Sequence, residues 1–281
     1  MKRTLSISVR ALPLVTLAFA VILAMSCNTV SRRGLSWEGQ LGPVPNTPLS
    51  PQQLDGLVRV KSDLIGKGSY GRRWNRPMQP RYITIHSTQN YTGDAYAHAK
   101  ALKRGALRGG VCGYLCWHFT VQDDVVIQHI PTNERGEHAD FDGPGNRYSI
   151  GIEMCEHKGN DLAKTIDRTA ELTASLMYHH QIPLQNVVPH YHWPRAGYKT
   201  PNKDCPHFLL EDGKPGATWN WFKSRVQRHY LRIQENAPPP PQLASIREGG
   251  DPAPAVPAPT TALTLAQANG TSDEQRRATN R

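Results

Sequence analysis

The sequence predicts one α/β domain between about residues 54 and 236, with a mixed central β-sheet flanked by helices. Two observations support this fold class. Short runs of alternating or β-branched residues alternate along the chain with longer segments of helical apolar periodicity. The 281 residues are also long enough to form one domain with a sizeable core. All twelve histidines lie between His86 and His229, so we expect the chemistry in this region.

Four segments of this region predict strands and three predict helices. The strands are 81–88, 117–121, 125–130 and 150–155, of which the second and third predict a hairpin around Gln-Asp-Asp. The helices are 94–107, 165–181 and 218–234. Alternation places His86 on the strand face opposite to Ile83 and Ile85. In the last strand, it places Glu153 opposite to Ile152.

The N-terminus has the pattern of an export signal. Basic residues at positions 2, 3 and 10 precede an apolar run over 11–25. This run is shorter than the ~20 residues of a membrane span and is typical of a signal peptide. The run ends at Leu-Ala-Met-Ser-Cys27, which resembles a bacterial lipoprotein signal cleaved before a lipidated cysteine. Asn28 follows instead of the Asp of inner-membrane lipoproteins, which implies an outer-membrane anchor facing the periplasm. The alternative is a cleaved signal with Cys27 as an ordinary residue.

Neither segment that flanks the domain is expected to form a core. Residues 27–53 contain Gly-Pro-Val-Pro-Asn-Thr-Pro and are predicted to tether the domain to its anchor. Residues 237–281 are rich in proline and alanine without apolar periodicity, which predicts a disordered tail. The predicted organisation is therefore a signal over 1–26, a tether over 27–53, a domain over 54–236 and a tail over 237–281.

The chain is basic, with 33 Lys and Arg, 23 Asp and Glu, and a net charge of +10. Such a charge suits nucleic acid, an anionic membrane surface or an acidic polymer as a neighbour, although solvated surface charge is an equal alternative. No segment interleaves aromatic residues with Lys or Arg as a nucleic-acid groove would, so we expect no nucleic-acid partner. No protein partner is indicated.

Several side chains that bind metals or carry protons follow the predicted elements. A catalytic zinc site takes three protein ligands from His, Cys or carboxylate and keeps one position for water. His86, His190 and Cys205 would supply that set. Lys203 lies two residues before Cys205 and would point the same way in an extended segment. Glu153, on a neighbouring strand, would accept a proton from the activated water.

Each of these residues also has a simpler interpretation. The five cysteines are an odd number, so complete disulfide pairing would leave one over. In an oxidising compartment, Cys205 could pair with a cysteine at position 112, 116 or 155. Glu153 could be a buried ion-pair partner, and Lys203 a solvated loop charge.

A series of motifs over about residues 82–226 carries a family resemblance. In chain order they are IHST (85–88), WHF (117–119), IQHIP (127–131), GEHA (136–139), NRYSIGIE (146–153), VVPH (187–190) and KDCPH (203–207). They resemble the zinc-dependent N-acetylmuramoyl-L-alanine amidases of type 2, which are related to phage amidase lysozymes and to animal peptidoglycan recognition proteins. The resemblance implies the single-domain fold of that family and cleavage of the amide bond between N-acetylmuramic acid and L-alanine by a zinc-activated water.

The resemblance also implies roles for individual residues. The zinc-ligand positions match His86, His190 and Cys205, and the catalytic glutamate and lysine match Glu153 and Lys203. His192 is the main rival of His190, because the two share a face if their segment is extended. Candidates for contact with substrate are Trp117, His118 and His138, with packing as the alternative for the two histidines.

We therefore expect a Zn²⁺ enzyme that acts on peptidoglycan or muropeptides in cell-wall turnover or recycling. Stem peptides carry carboxylates, which suit the basic charge of the chain. Three alternatives remain: a peptidoglycan-binding lipoprotein without activity, a structural lipoprotein with a Cys205 disulfide, and a zinc hydrolase of another amide.

Overall fold

The computed structural model describes residues 32–195 and 197–236. The predicted signal peptide, Cys27 and the predicted tail from 237 lie outside these residues. Among the helices of the described residues, none combines the length and the apolar character needed to cross a membrane.

The described residues form six α-helices and six strands. The helices are α1 (Arg32–Leu41), α2 (Pro51–Val58), α3 (Ala95–Lys103), α4 (Pro144–Tyr148), α5 (Leu162–His180) and α6 (Ala217–Leu231). The strands are β1 (Val60–Ser62), β2 (Tyr82–Ser87), β3 (Phe119–Val121), β4 (Val126–Gln128), β5 (Ser149–Met154) and β6 (Val187–Pro189). Short 3₁₀ turns lie at Tyr70–Arg72, Leu184–Asn186, His190–His192 and His207–Leu209.

All six strands belong to one sheet in the order β1-β4-β3-β5-β2-β6. β3 and β4 pair antiparallel, as expected for the predicted hairpin, and the other neighbours pair parallel. The predicted mixed sheet with flanking helices is therefore confirmed. Because β2, β5 and β6 run parallel as neighbours, their carboxyl ends meet at one edge of the sheet.

Alternation along β2 and β5 separates the core from the functional face. Ile85 and Ile152 are fully buried in the main core, together with Ile166 of α5. The neighbouring residues on each strand, His86 and Glu153, point to the opposite face of the sheet. These two residues are register partners, so the pairing places them side by side.

The predicted tether differs from the structure, because α1 and the first turn of α2 lie within residues 27–53, and both helices pack on the domain. Trp37 of α1 lies against Trp221 of α6, with ring centroids 5.4 Å apart. α2 begins with a capping box, in which the Ser50 side chain accepts from the Gln53 backbone N–H and the Gln53 side chain accepts from the Ser50 backbone N–H. The proline after Ser50 occupies a first-turn position that tolerates it, so here it begins a helix rather than a flexible linker.

A buried arginine connects α1 with α5 and α6. Arg225 donates to Asp167 Oδ1 at 2.6 Å and to Glu38 Oε2 at 3.0 Å. Burial acts to raise the pKa of Asp167, but hydrogen bonds from His229 and Arg225 outweigh it and hold that pKa at about 2. Asp167, Glu171 and His229 are close enough together to hold a metal ion. The guanidinium of Arg225 already supplies positive charge there, so we interpret the group as an ion-pair network.

Replacing Arg225 by Met should lower the free energy of unfolding by about 3 kcal/mol, because Asp167 would remain in the helix interface without its guanidinium partner. Arg228→Met is the matched control. Arg228 also pairs with Glu38 but is 40% exposed, so its loss should cost less than about 1 kcal/mol. Urea denaturation at pH 7 measures both values. Equal losses in the two variants would show that the buried network does not stabilise the fold.

Candidate active site

Three side chains meet at the carboxyl edge of the sheet. His86 lies near the end of β2, His190 directly follows β6, and Cys205 lies in the loop beyond it. Their ligand atoms lie within 4.8 Å of one another, and all three residues are buried. The backbone N–H of Ser87 donates to Cys205 Sγ at 3.3 Å, which holds the thiol at this edge. The structure thus brings together the three residues predicted as metal ligands, which we call the His-His-Cys cluster.

His192 lies outside this cluster. It is exposed, and its ring packs on that of Trp193, with centroids 4.6 Å apart. The 3₁₀ turn at His190–His192 replaces the extended geometry in which the two histidines would share a face. The structure therefore places His192 away from the candidate ligands and keeps His190 among them.

Hydrogen bonds behind the cluster determine which ring nitrogen of each histidine faces it. His190 Nε2 lies 3.2 Å from the carbonyl oxygen of Ala139, so this nitrogen carries the hydrogen and Nδ1 carries a lone pair. His138 Nε2 donates in the same way to the Ser149 carbonyl at 3.2 Å. His138 Nδ1 must then accept from His86 Nε2 at 3.1 Å, which leaves a lone pair on Nδ1 of His86 as well.

Two nitrogen lone pairs therefore converge, since Nδ1 of His86 and Nδ1 of His190 lie 2.9 Å apart. Such a contact is stable only when a proton or a cation lies between the two atoms. Burial disfavours the proton, because it lowers the pKa of His86 well below the ordinary value and that of His190 to about 3. Two neutral imidazoles and a cysteine are a donor set that zinc prefers, so these residues fit a zinc ion.

The thiol of Cys205 favours the same interpretation. Burial raises its pKa to about 12, and the nearby carboxylate of Glu153 acts in the same direction. The sulfur is therefore a neutral thiol unless a positive charge stabilises the thiolate, as a coordinated metal does. The four cysteines among the described residues form no disulfide.

Glu153 lies beside the cluster and is suited to proton transfer. Its Oε1 is 3.8 Å from Nδ1 of His86, and its Oε2 is buried without a hydrogen-bond partner among the described residues. Burial raises the pKa of Glu153 to about 7, although the positive charge of Lys203 opposes this rise. A carboxyl group with a pKa near neutrality can both accept and return a proton.

A cavity of about 330 Å³ opens onto this edge of the sheet. Glu153, His190 and Lys203 all line it. The rest of the wall comes from the segments 108–117 and 137–146 and from the loop after β6. A substrate in the cavity would therefore contact the candidate base, one candidate metal ligand and the ammonium group together.

The residues predicted to contact substrate divide into two groups. Trp117 and His138 line the cavity, as expected for that role. His118 does not, because its Nδ1 accepts from the Gly151 backbone N–H at 2.9 Å and its Nε2 donates to the Glu134 carbonyl at 2.9 Å. With both nitrogens bonded to the backbone and the ring fully buried, His118 has a structural role and not the predicted contact with substrate.

Asn146, which was not predicted as a functional residue, supports the His-His-Cys cluster from behind. Its side-chain oxygen accepts from the backbone N–H groups of His138 and Ala139, at 2.9 and 2.8 Å. It thereby positions both the ring that bonds to His86 and the carbonyl that orients His190. The only sequence feature that pointed to Asn146 was its place at the start of the NRYSIGIE motif. A motif position alone does not show which backbone groups a side-chain amide will bind.

The cluster offers three candidate ligands, and one of them, His190, lines an open cavity. Three protein ligands are typical of catalytic metal sites, whereas structural sites surround the ion with four, so the residues of this site suit metal-assisted hydrolysis. The chain belongs to the N-acetylmuramoyl-L-alanine amidase family (Amidase_2), whose profile matches residues 76–208. This range contains the whole His-His-Cys cluster, Glu153 and Lys203.

Individual relatives agree with this assignment. The N-acetylmuramoyl-L-alanine amidase XlyA of Bacillus subtilis (strain 168) is 41% identical over 176 residues, which are 60% of this chain and 52% of XlyA. The amidase CwlH of the same organism is 36% identical over 189 residues, which are 65% of this chain and 66% of CwlH. The chain thus spans about half the length of XlyA and about two thirds of CwlH.

A solved structure supports the fold directly. The catalytic domain of XlyA is 40% identical and superimposes with a TM-score of 0.50, and the match covers 60% of this chain and 99% of that domain. The fold of the described residues is therefore that of an amidase catalytic domain.

Replacing His138 by Ala should weaken zinc binding about 10- to 100-fold, because His86 would lose the acceptor that fixes its tautomer and ring orientation. Competition with a chromogenic chelator measures the affinity, and circular dichroism checks the fold. His192→Ala removes an exposed imidazole outside the cluster and should bind zinc like the unaltered chain. Equal affinities in the two variants would show that His138 does not position His86.

Proposed function

We propose that the domain hydrolyses the amide bond between N-acetylmuramic acid and L-alanine in peptidoglycan or muropeptides, with Zn²⁺ held by His86, His190 and Cys205. The observation that carries the proposal is the convergence of two unprotonated ring nitrogens and a thiol beside Glu153. The 40% identity to a solved amidase catalytic domain supports the same activity.

Glu153 would act as the general base and then as the general acid. A zinc ion in the cluster would supply Lewis-acid chemistry, which lowers the pKa of water and polarises the amide carbonyl. The carboxylate of Glu153 faces the same cavity and would take a proton from the attacking water. Oε2 is free to do so because no protein group among the described residues bonds to it. The protonated carboxyl group would then donate to the amine of L-alanine as the amide bond breaks.

Lys203 would stabilise the charge that develops on the carbonyl oxygen. Lys203 lines the cavity. Burial is the main cause of the lowered pKa of His190, and the positive charge of Lys203 lowers this pKa further. A well-placed donor to such an oxyanion contributes about 3 kcal/mol to transition-state stabilisation. We therefore propose electrostatic stabilisation as the role of Lys203 and proton transfer as the role of Glu153.

We further propose that the enzyme acts in the periplasm, anchored to the outer membrane by a lipid on Cys27, in cell-wall turnover or recycling. The support is the apolar run over 11–25 and the Leu-Ala-Met-Ser-Cys27 sequence that ends it. Metabolic labelling with a radioactive fatty acid tests the anchor. Cys27→Ser should abolish the label, and labelling that survives this change would refute the assignment.

Incubation of the purified chain with peptidoglycan should release stem peptides whose free N-terminus is L-alanine, identified by mass spectrometry. A chelator should abolish the release and zinc should restore it, because the cluster supplies the metal ligands. Cleavage in the glycan or in the peptide cross-links would contradict the proposed bond. Binding to peptidoglycan without cleavage would favour the non-catalytic alternative.

Replacing Glu153 by Gln should lower kcat at least about 100-fold while zinc content stays at one ion per chain, since the change removes the proton acceptor but no candidate ligand. Cys205→Ala should lose both zinc and activity. Metal analysis and turnover are measured on the same preparations. Unchanged turnover in the first variant, or undiminished zinc in the second, would overturn the assigned roles.

A further inference from the structure

Two arginines in the cavity wall have no acidic partner. Arg108 precedes β3 and Arg195 follows β6, and both line the cavity that contains Glu153. Within residues 32–195 and 197–236, the guanidinium group of each stacks on a tyrosine and forms no ion pair with a carboxylate.

Each guanidinium is oriented by an aromatic ring. Arg108 Cζ lies 4.3 Å from the ring centroid of Tyr114, and Arg195 Cζ lies 3.8 Å from that of Tyr198. Stacking occupies the face of a guanidinium and leaves the N–H groups at its edge available. Those N–H groups form a fork whose geometry matches a carboxylate.

The backbone that carries Arg108 is held in place by a tight turn. Arg108 and Tyr114 form a β-bridge, and between them Gly110 and Gly113 have φ values of 67° and 82°, which favour glycine. The tip of the turn is fixed to the domain, because Val111 N–H donates to Glu137 Oε2 at 3.0 Å. Arg108 therefore projects from a constrained hairpin.

Two of the three carboxylates in the same wall are already engaged, and the third belongs to Glu153. Glu137 is 1% exposed and forms a salt bridge with Arg76. The two oxygens of Asp140 accept from the backbone N–H groups of Gly145 and Asn146, each at 2.8 Å. Neither group forms an ion pair with Arg108 or Arg195 within the described residues, so both guanidinium groups remain available to an anionic ligand.

We propose that Arg108 and Arg195 form a binding subsite for the free carboxylates of the stem peptide, beyond the L-alanine whose amide bond is cut. This inference rests on the proposed function and names the substrate group that the cavity recognises. A sugar offers no charge to two unpaired guanidinium groups, whereas a peptide with side-chain or terminal carboxylates does. Two sources are available: the α-carboxylate of the second residue, D-glutamate, and the carboxylate at the end of the stem.

Calorimetric titration with N-acetylmuramoyl-L-Ala-γ-D-Glu-L-Lys, in which the α-carboxylate of the D-glutamate is free, tests the subsite. The titrated protein is the zinc-loaded Glu153→Gln variant, so the measurement does not depend on turnover. Converting the relevant carboxylate to an amide should raise Kd at least about tenfold, because a charge-assisted hydrogen bond is lost. Separate amidation of the D-glutamate α-carboxylate and of the C-terminal carboxylate shows which source is bound.

Arg108→Gln and Arg195→Gln, made in the same variant, should each raise Kd for the charged tripeptide about tenfold. Each should also reduce the effect of amidation. Arg104→Gln is the matched control, since Arg104 caps α3, carries the same charge and does not line this cavity. Zinc content and circular dichroism confirm that each variant is intact.

The outcomes separate this inference from the proposed function. Equal Kd values for charged and amidated tripeptides, or equal effects of the cavity and control substitutions, would overturn the subsite while leaving the amidase assignment in place. Charge-dependent binding that needs Arg108 and Arg195, in a chain that releases no stem peptides from peptidoglycan, would support the subsite and overturn the proposed function.

Discussion

The rest of the site depends on the parallel pairing of β2 with β5 on one side and β6 on the other. This pairing places His86 directly opposite Glu153 and places His190 one residue beyond the pair formed by Ile85 and Pro189. A shift of one residue between β2 and β5 would turn His86 or Glu153 towards the core and an isoleucine towards the cavity. The buried isoleucines on the opposite face of the sheet therefore fix the geometry of the chemistry.

The polar face is organised by hydrogen bonds to the backbone. The Ala139 carbonyl determines the tautomer of His190, and the Ser149 carbonyl acts on His86 through His138. Backbone carbonyls only accept hydrogen bonds, so these two carbonyl groups determine which nitrogen of each ring carries the hydrogen. Asn146 holds the segment that contains both His138 and Ala139, so the orientations of His86 and His190 both depend on this one side chain.

The sequence predicted the parts of the molecule that have a strong local pattern. Alternation located β2 and β5, and the motifs identified the five residues that the structure assembles at the sheet edge. α1 and α2 were missed, because prolines and glycines before residue 54 suggested a linker while the evidence for α1 is its contact with the distant Trp221.

The division between His118 and His138 could not be predicted either. Both histidines lie in motifs that border the cleft and both have bonded ring nitrogens, and only the position of the cavity shows that His138 lines it while His118 does not. Arg108 and Arg195 belong to loops, where no periodicity predicts which side chains will line a cavity. These features depend on tertiary contacts between segments that are far apart in the chain.

With the proposed lipid on Cys27, the packing of α1 on the domain would limit how far the enzyme reaches from the membrane. A tether over 27–53 would extend about 90 Å from the bilayer, whereas the chain between Cys27 and the start of α1 at Arg32 spans at most about 18 Å even when fully extended. With the proposed lipid on Cys27, the domain would work against the membrane surface and cut only the layer of the wall next to it. Its access to new substrate would then depend on lateral diffusion in the membrane.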